Sequence, residues 1–342
     1  MKILVTGGGG YIGTHTLLDL LEKGYEVVSA DNHINSRPDM IDLVRQISGK
    51  SFTSYTVDLC RTDEVDELFA KEKGIEGVIH FAALKSVPES MEKPGMYYRN
   101  NILSLLNVIS SAEKCGVTSF IFSSSCSVYG NPDILPVTEL TPRKEAESPY
   151  ARTKQMGEDI IRDISLRSSM QFILLRYFNP AGAHESGAIG EFSTSGEASN
   201  LLPRITGFAS GRLSSFTVFG TDYPTRDGSC IRDYIHVSDI ASAHTAAIAY
   251  LYAGKQKTVC DVFNLGTGNG ITVLEMIQSF ERVSGLKLDV TLGERRAGDV
   301  MQVFADNSKA KETLHWLPVR TLDDMTTSAW VWEKRLAGLR WV

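Results

Sequence analysis

The chain has 342 residues, of which 42% are hydrophobic and 22% charged, and its formal net charge is −6. This size and balance predict a globular protein with a substantial core, built as one large or two unequal domains, and exclude a disordered or low-complexity chain. Lysine and arginine are dispersed along a mildly acidic chain, so we expect neither a nucleic-acid partner nor an anionic membrane surface, and small-molecule chemistry is favoured.

Cysteine and histidine usage limits the chemistry further. The five cysteines are widely spaced and form no C-x-x-C pair, which indicates a reducing compartment and predicts a cytoplasmic location. Cys126 follows a serine run, but a packed thiol is the commoner role for such a residue. The seven histidines show no H-E-x-x-H or other ligand spacing, so no metal site is expected. The chain starts at once with a strand-like run and has no apolar run of 18 residues, so neither export nor membrane anchoring is expected.

The first segment predicts a strand, a glycine-rich turn and a helix. Lys2–Thr6 is a short apolar run, four glycines follow, and Tyr11–Glu22 is amphipathic. Gly7, Gly10 and Gly13 have the G-x-x-G-x-x-G spacing of a turn whose backbone can approach a phosphate. The positive end of the following helix would then face a pyrophosphate.

An acidic residue follows the second strand-like run. Asp31 comes directly after Tyr25–Ala30, about 20 residues beyond the glycines. A carboxylate at this place accepts both hydroxyls of an adenine ribose and repels a 2′-phosphate. The sequence therefore predicts a site for NAD rather than NADP.

Strand-like and helical segments then alternate along the chain. Further strands are predicted at Phe52–Val57, Gly77–Phe81, Ser119–Ser123 and Gln171–Arg176, with helices that include Thr62–Lys73 and Tyr97–Lys114. This alternation predicts an α/β fold with a Rossmann-type doubly wound parallel sheet, whose ligands gather at the carboxyl ends of the strands. The residues at those ends are Gly7, Asp31, Asp58, Phe81, Ala82, Ala83, Ser123, Ser125 and Tyr177.

The stretch Ser123–Lys154 carries the catalytic pattern. A serine run ends a predicted strand, and Tyr150 and Lys154 fall one helical turn apart in SPYARTK. Alone, Tyr-x-x-x-Lys is a common pattern on surface helices. Here the two residues are predicted to lie at the same edge of the sheet as the glycine loop, which favours a catalytic role. An ammonium and a nicotinium charge both favour a phenolate, so Tyr150, directly or through Ser125, is predicted to take a hydroxyl proton while a hydride leaves the carbon. This is alcohol oxidation.

Beyond Tyr177 the sequence predicts a smaller, mixed α/β C-terminal substrate domain. A long loop rich in glycine, serine and alanine is expected to cover a site, and helix-like LLPRITGFASG and strand-like SFTVFG follow it. RDYIHVSD with its alanine-rich helix, and DVFNLGTG as a seventh strand, are predicted to return to the first domain. We therefore predict an NAD-binding domain at residues 1–178, with returning segments near 232–265, and a discontinuous second domain over residues 179–342.

Nine motifs together resemble one known family. TGGGGYIG, ADNHINS, IHFAALKSVPES, FSSSCSVYG, SPYARTK, RYFNPAGAH, RDYIHVSD, FNLGTG and RRAGD stand in the order found in extended short-chain dehydrogenases/reductases, and most closely in the UDP-glucose 4-epimerase family. The resemblance implies tightly bound NAD, hydride removal from C4 of a UDP-hexose, rotation of the 4-keto sugar, and hydride return to its opposite face. It also implies that the second domain binds the nucleotide sugar and that the enzyme is a homodimer.

The same resemblance implies roles for individual residues. The implied catalytic set is Ser125, Tyr150 and Lys154. The implied cofactor-binding residues are Gly7, Gly10, Tyr11, Ile12 and Gly13 at the glycine loop, Asp31 and Asn32 at the adenosine ribose, Asp58 and Leu59 beside the adenine, and Phe81, Ala82, Ala83, Lys85, Asn100, Ser123, Tyr150, Lys154 and Tyr177 along the rest of the cofactor. The implied substrate-binding residues are Lys85, Ser125, Tyr150, Phe178, Asn179, Asn200, Leu201, Ser215, Phe219, Arg232, Tyr234, Arg296, Asp299 and Val303.

Several alternatives stay open at this point. Val303 is small at a place that lines the hexose pocket in this family, which predicts tolerance of a 2-acetamido group and hence of UDP-N-acetylglucosamine. Epimerases of UDP-pentoses or UDP-uronic acids remain possible, because the contact to C6 is not readable from sequence. A nucleotide-sugar dehydratase is less favoured, since Cys126 and Ser127 stand where it needs an acid pair. A non-catalytic NAD-sensing Rossmann protein is least favoured, since it has no reason to keep the tyrosine and lysine pair.

Overall fold

The computed structural model describes residues 1–192, 200–295 and 300–338. Its strands are β1 (Lys2–Thr6), β2 (Glu26–Asp31), β3 (Thr53–Thr56), β4 (Ile75–His80), β5 (Ser119–Ser125), β6 (Gln171–Tyr177), β7 (Asn179–Ala181), β8 (Thr217–Phe219), β9 (Ile231–Arg232), β10 (Tyr234–His236), β11 (Cys260–Leu265), β12 (Ile271–Thr272), β13 (Thr291–Gly293) and β14 (Gln302–Val303). Its helices are α1 (Tyr11–Glu22), α2 (Asp39–Ser48), α3 (Thr62–Lys71), α4 (Val87–Glu92), α5 (Pro94–Lys114), α6 (Pro149–Ser165), α7 (Leu201–Ala209), α8 (Val237–Tyr252), α9 (Val273–Ser284), α10 (Ser308–Leu314) and α11 (Leu322–Gly338), with a 3₁₀ turn at Cys126–Tyr129.

Seven strands form the central sheet, in the order β11, β6, β5, β4, β1, β2, β3. Every neighbouring pair in it is parallel. The strand order reverses between β1 and β4, and a ligand crevice is expected at such a switch point, outside the carboxyl ends of the strands. The predicted Rossmann-type doubly wound α/β sheet is confirmed.

Helices cover both faces of this sheet, which is why its inner strands carry buried apolar residues on both sides, whereas the edge strand β3 is polar. Alternate residues of β1 show the division: Ile3 and Val5 belong to one buried cluster and Leu4 to another. The first cluster contains residues of α1, α2 and α8, and the second contains residues of α3, α5 and α6. The two layers hold the carboxyl ends of the strands at one rim.

Smaller sheets follow β6. One is the pair of β10 and β7, and another is the pair of β13 and β8. The third is a mixed three-stranded sheet in the order β12, β9, β14. A separate apolar cluster joins α7, α9 and α11 to these strands. β11 completes the central sheet and α8 packs on α1, as expected for returning segments, whereas β10 pairs outside the central sheet. The predicted domain boundaries themselves stay a prediction.

Two kinds of feature are absent from the described part of the chain. None of its helices is long and apolar enough to cross a membrane. Within residues 1–192, 200–295 and 300–338, no group of three or more histidine, cysteine, aspartate or glutamate side chains is arranged to hold a metal ion.

Four buried histidines predict a loss of stability in mild acid. Burial lowers the pKa of His15, His80 and His236 to about 3, and that of His244 to about 4. Because these values lie below the usual pKa of about 6.5, the unfolded chain binds more protons than the folded one below that pH. The stabilisation is therefore complete above about pH 6.5 and falls toward the folded pKa, by about 1.4 kcal/mol per histidine and pH unit.

Thermal denaturation between about pH 7.5 and about pH 5 measures this loss, and the Tm is expected to fall steadily below about pH 6.5. A His80→Asn variant should start less stable but show a shallower pH dependence. The matched control is His315→Asn, because His315 is exposed and its replacement should leave the slope unchanged. A Tm independent of pH over this range would contradict the prediction.

Candidate active site

The carboxyl ends of the central strands bring the predicted catalytic and cofactor residues to one rim. β5 ends at Ser125 and β6 at Tyr177, and these two residues pair in register. The glycine loop follows β1, and the segment that starts at Phe81 follows β4. The Phe81 backbone N–H donates to the Thr6 carbonyl at the end of β1 at 3.0 Å. The glycine loop and the serine run thus lie at the ends of strands separated only by β4.

The glycine loop has no room for side chains. Gly7 has a φ of 68°, and a Cβ built on it would lie 2.8 Å from the Ala82 backbone nitrogen. A Cβ on Gly13 would lie 2.2 Å from the Gly7 carbonyl oxygen. α1 begins after Gly10 without a side-chain cap, so the first N–H groups of the helix point out of the loop unbonded by a cap. This cradle of backbone donors fits the pyrophosphate of a dinucleotide.

Asp31 is held against this loop. Its Oδ2 accepts from the Gly9 N–H at 3.0 Å, and its Oδ1 accepts from the His33 N–H at 2.8 Å and the Ser36 hydroxyl at 3.0 Å. The side chain is buried, which fixes the carboxylate at the end of β2. His33 and Ser36 were not predicted, although the Asp-x-His spacing is that of a local Asx turn.

The predicted adenine-side residues lie at the same edge. Asn32 follows Asp31 directly and is half-buried. Asp58 lies two residues beyond β3 and accepts from the Cys60 N–H at 2.9 Å, while Leu59 is buried. Because β3 is the parallel neighbour of β2, these residues lie beside Asp31 at the sheet edge.

A buried asparagine that the sequence did not reveal fastens the segment after β4. The Asn101 Oδ1 accepts from the Leu84 N–H at 2.8 Å, and its Nδ2 donates to the Leu84 carbonyl at 3.1 Å and to the Thr153 hydroxyl at 3.0 Å. The predicted Asn100 donates to the same Oδ1 at 3.0 Å. Leu84, which directly follows Phe81, Ala82 and Ala83, is therefore fixed to α5, and the same amide links α5 to α6.

Lys154 is the buried centre of the predicted catalytic set. Its Nζ donates to the Ser123 carbonyl at 2.6 Å and lies 5.9 Å from the centre of the Tyr150 ring. Ser125, at the end of β5, accepts from the Ser127 N–H at 3.2 Å, and the hydroxyls of Ser123 and Tyr177 share a short hydrogen bond. The structure therefore brings the predicted serine, tyrosine and lysine together.

Burial dominates the electrostatics of this set. It lowers the pKa of Lys154 to about 8, and the carboxylate of Glu158 opposes that fall. It raises the pKa of Tyr150 well above the usual value for a phenol, although the hydrogen bond with Ser125 lowers it. Burial therefore favours the neutral phenol of Tyr150, against the direction in which a neighbouring ammonium acts.

A cavity of about 200 Å³ lies on the second domain's side of the rim. The predicted residues that line it are Asn179, Asn200, Leu201, Phe219, Arg232 and Tyr234. Lining residues that were not predicted include Arg204, Phe216, Thr217, Cys230 and Val273. Two arginines in a partly apolar cavity suit a flat base joined to a phosphate, because a guanidinium can bond two phosphate oxygens at once.

Other predicted substrate residues lie elsewhere. Ser215 is exposed and is absent from the cavity lining. Phe178 and Val303 belong to a separate buried cluster, and Val303 pairs with Arg232 of the cavity in the three-stranded sheet. Arg296 and Asp299 lie outside the described residues.

One carboxylate bridges the two halves of the site. The Glu191 Oε1 accepts from the Lys85 Nζ at 3.1 Å and from the Asn200 Nδ2 at 2.6 Å. Lys85 belongs to the segment after β4, whereas Asn200 lines the cavity. The two predicted residues thus meet at one carboxylate. Tyr11 lies beside them, with its ring centre 5.9 Å from the Lys85 Nζ, and its hydroxyl donates to the Gly182 carbonyl at 2.6 Å.

Comparison with known proteins agrees with this arrangement. The profile of the NAD dependent epimerase/dehydratase family matches residues 3–266. The UDP-glucose 4-epimerase of Bacillus subtilis is 46% identical over 334 residues, which cover 97% of each chain. The crystal structure of UDP-glucose 4-epimerase from Bifidobacterium longum in complex with NAD+ and UDP has a TM-score of 0.92 and 43% identity, with 98% of each chain covered.

A structure of the UDP-Glc/GlcNAc 4-epimerase from Campylobacter jejuni has a TM-score of 0.84 and 38% identity, with 98% of this chain and 99% of that chain covered. The family match spans the glycine loop, the serine run and the tyrosine and lysine pair, and the relatives span nearly the whole chain. The chain therefore belongs to the NAD dependent epimerase/dehydratase family, and within it to the UDP-glucose 4-epimerases.

Proposed function

We propose that this chain interconverts UDP-glucose and UDP-galactose by epimerisation at C4 of the hexose, with tightly bound NAD as its cofactor. The observation that carries the proposal is the position of the catalytic set. Ser125, Tyr150 and Lys154 lie at the rim that also carries the glycine loop, and Asn179, two residues beyond the end of β6 at that rim, lines the cavity that contains Arg232. A hexose attached to a nucleotide in that cavity can reach the rim.

The chain's own backbone and carboxylate groups would hold the cofactor. The loop at Gly7 and Gly13 would take the pyrophosphate, and Asp31 would accept the ribose hydroxyls. When bound there, NAD would supply the hydride-transfer chemistry at C4 of the sugar. Asp31 lies 3.0 Å from the Gly9 N–H, so the ribose and pyrophosphate contacts are held in one fixed unit.

Tyr150 and Ser125 transfer the proton of the C4 hydroxyl. Ser125 provides a hydroxyl at the end of β5, and Tyr150 accepts the proton as the carbon is oxidised and returns it as the carbon is reduced. Lys154, fixed on the Ser123 carbonyl and with a pKa of about 8, is largely an ammonium at neutral pH and stabilises the phenolate.

The nucleotide half of the substrate would supply most of the binding energy. Arg232 and Asn179 line the cavity together with Tyr234, and these side chains can bind a uridine diphosphate. A firm hold on the diphosphate leaves the 4-keto sugar free to turn about its phosphate link, so that either face can be reduced.

A panel of UDP-sugars, tested without added NAD, examines the function. UDP-glucose and UDP-galactose are expected to interconvert to a common equilibrium mixture, and absorbance of bound reduced nicotinamide is expected to rise on substrate addition. Turnover confined to UDP-pentoses or UDP-uronic acids, or no spectral response to any UDP-sugar, would contradict the proposal.

UDP-N-acetylglucosamine is a second candidate substrate. Val303 is a small side chain, it packs in the buried cluster that contains Phe178, and its strand neighbour is Arg232 of the cavity. We expect the wild-type chain to epimerise this sugar and Val303→Tyr to lose that activity by about 10- to 200-fold while keeping UDP-galactose turnover. Complete rejection of the N-acetyl sugar by the wild type would remove the candidate.

A cytoplasmic homodimer is the proposed assembly. Met96, Leu103 and Leu106 are exposed by 40%, 37% and 39% and recur on one face of α5. An apolar stripe on a long helix is typical of a subunit interface. Light scattering on the purified protein should give the mass of two chains, and a monomer at micromolar concentration would contradict the proposal.

A further inference from the structure

A buried ion pair lies directly behind the reactive rim. The Arg176 Nε donates to Glu158 Oε1 at 2.8 Å, and its Nη2 donates to Oε2 at 2.6 Å. Both side chains are almost completely buried. A buried ion pair stabilises a fold little more than apolar residues of similar volume, because both charges lose their hydration. The effect of the pair therefore lies in the geometry that it fixes.

Glu158 fastens the helix that carries Lys154 to the strand that ends at Ser125. The Ser124 hydroxyl donates to Glu158 Oε1 at 2.7 Å. Lys154 lies one turn earlier on α6, and its Nζ reaches the carbonyl of Ser123 at 2.6 Å. Two successive residues of β5 are thus held by two residues on one face of α6.

Arg176 extends the same attachment across the sheet. It lies opposite Ser124 in the register of β5 and β6. Its Nη1 donates to the Tyr129 hydroxyl at 2.9 Å, and that hydroxyl donates to the Asn264 Oδ1 at 2.6 Å. Asn264 is part of β11, so the network joins α6 to the ends of three neighbouring strands.

We propose that Glu158 and Arg176 are positioning residues for the proton transfer: their pair sets where α6 stands along the ends of β5 and β6, and thereby where Lys154 and Tyr150 meet Ser125. The inference rests on the proposed epimerase function. The pair acts through the side chains that it holds, because neither residue lines the cavity or the glycine loop.

The charge of Glu158 acts on the same site. It opposes the fall in the pKa of Lys154 that burial causes. Glu158 itself stays ionised: burial raises its pKa, but Arg176 more than compensates, and Arg143 and Arg162 lie 3.6 Å and 3.0 Å from its Oε2. Four other titratable groups near Lys154 are neutral at pH 7. Burial lowers the pKa of His80 on β4 to about 3, and it raises the pKa values of Tyr150 on α6, Cys126 after β5 and Tyr177 on β6, which lie above 7 even when unshifted.

Glu158→Gln tests the inference, because it keeps the shape of the side chain and removes its charge. The kcat for UDP-galactose is expected to fall about 100-fold with little change in KM. The alkaline limb of the kcat profile is expected to move about one pH unit lower, since Lys154 then loses its proton at lower pH. Asp163→Asn, which removes an exposed carboxylate further along α6, is the matched control and should change neither.

Two more variants separate positioning from folding. Glu158→Gln combined with Arg176→Gln removes both charges, so it should regain thermal stability over the single variant while kcat stays low. Arg176→Lys keeps the charge but loses the guanidinium fork, so it should lower kcat without moving the alkaline limb.

Folded variants with wild-type kcat and pH profile would overturn the inference. So would a fall in kcat of Glu158→Gln that only follows lost thermal stability and leaves the alkaline limb in place, which would assign the pair a structural role alone. A wild-type chain that epimerises no UDP-sugar would instead overturn the proposed function.

Discussion

Tyr150→Phe is expected to lower the kcat for interconversion of UDP-glucose and UDP-galactose by about 10²- to 10⁴-fold. The variant removes one hydroxyl at a ring that lies 5.9 Å from the Lys154 ammonium, and with it the group that takes the C4 hydroxyl proton. Ser125 remains, but a serine hydroxyl without a basic partner is a poor proton acceptor at neutral pH. The rate of epimerisation, measured with saturating UDP-galactose, checks the prediction.

The fold and cofactor content of this variant should be unchanged, which separates a chemical defect from a structural one. Bound NAD, released by denaturation and quantified, should equal the wild-type amount. Tyr252→Phe is the control, because Tyr252 is 65% exposed at the end of α8 and its hydroxyl serves no part of the site. Near-normal turnover by Tyr150→Phe would show that the proton acceptor has been misassigned.

The central sheet was predictable because its strands are short apolar runs that alternate with amphipathic helices. β1 and α1 have the predicted bounds, and β5 runs two residues further, to Ser125. α2 was not predicted, although the apolar residues of DMIDLVRQIS recur at helical spacing: Met40, Ile41 and Val44 are buried, and Leu43 and Ile47 pack partly buried beside them. The periodic signal for this helix was therefore present in the sequence, whereas its packing on α1 is set by tertiary structure.

The site was predictable where a local motif fixes the backbone and unpredictable where distant segments meet. The glycine loop and the tyrosine and lysine pair are local patterns. Asn101 and Glu191 gain their roles only from contacts with Leu84, Lys85 and residues far along the chain. The residues next to Asn101 and Glu191 in the sequence do not predict these hydrogen-bond partners, which only the three-dimensional structure reveals.

Charge is similarly easier to read from sequence than burial. A lysine four residues from Tyr150 predicts a lowered phenol pKa, but the structure places both groups in a poorly hydrated pocket. Burial raises the pKa of Tyr150 more than its neighbours lower it. Sequence reasoning therefore found the charge that favours a phenolate but not the burial that favours the neutral phenol.

Gly13→Ala is expected to abolish tight binding of NAD. A Cβ at this position would lie 2.2 Å from the Gly7 carbonyl oxygen and 2.9 Å from the Gly8 Cα, both of them backbone atoms of the loop that would hold the pyrophosphate. The loop must move away from α1 to make room, and its N–H groups then no longer converge on one phosphate. NAD that co-purifies with the chain, and activity without added cofactor, should both be nearly lost.

Two alanine variants grade this prediction. A Cβ on Gly10 would lie 3.2 Å from the Gly7 carbonyl oxygen, so Gly10→Ala should keep part of the bound NAD. A Cβ on Gly95 would have no atom within 4 Å, so Gly95→Ala should keep all of the bound NAD. Because alanine is a better helix former than glycine by about 1 kcal/mol, a loss at Gly13 inside α1 is not a loss of helix stability. Wild-type NAD content in Gly13→Ala would mean that the close packing of loop and helix is not what holds the cofactor.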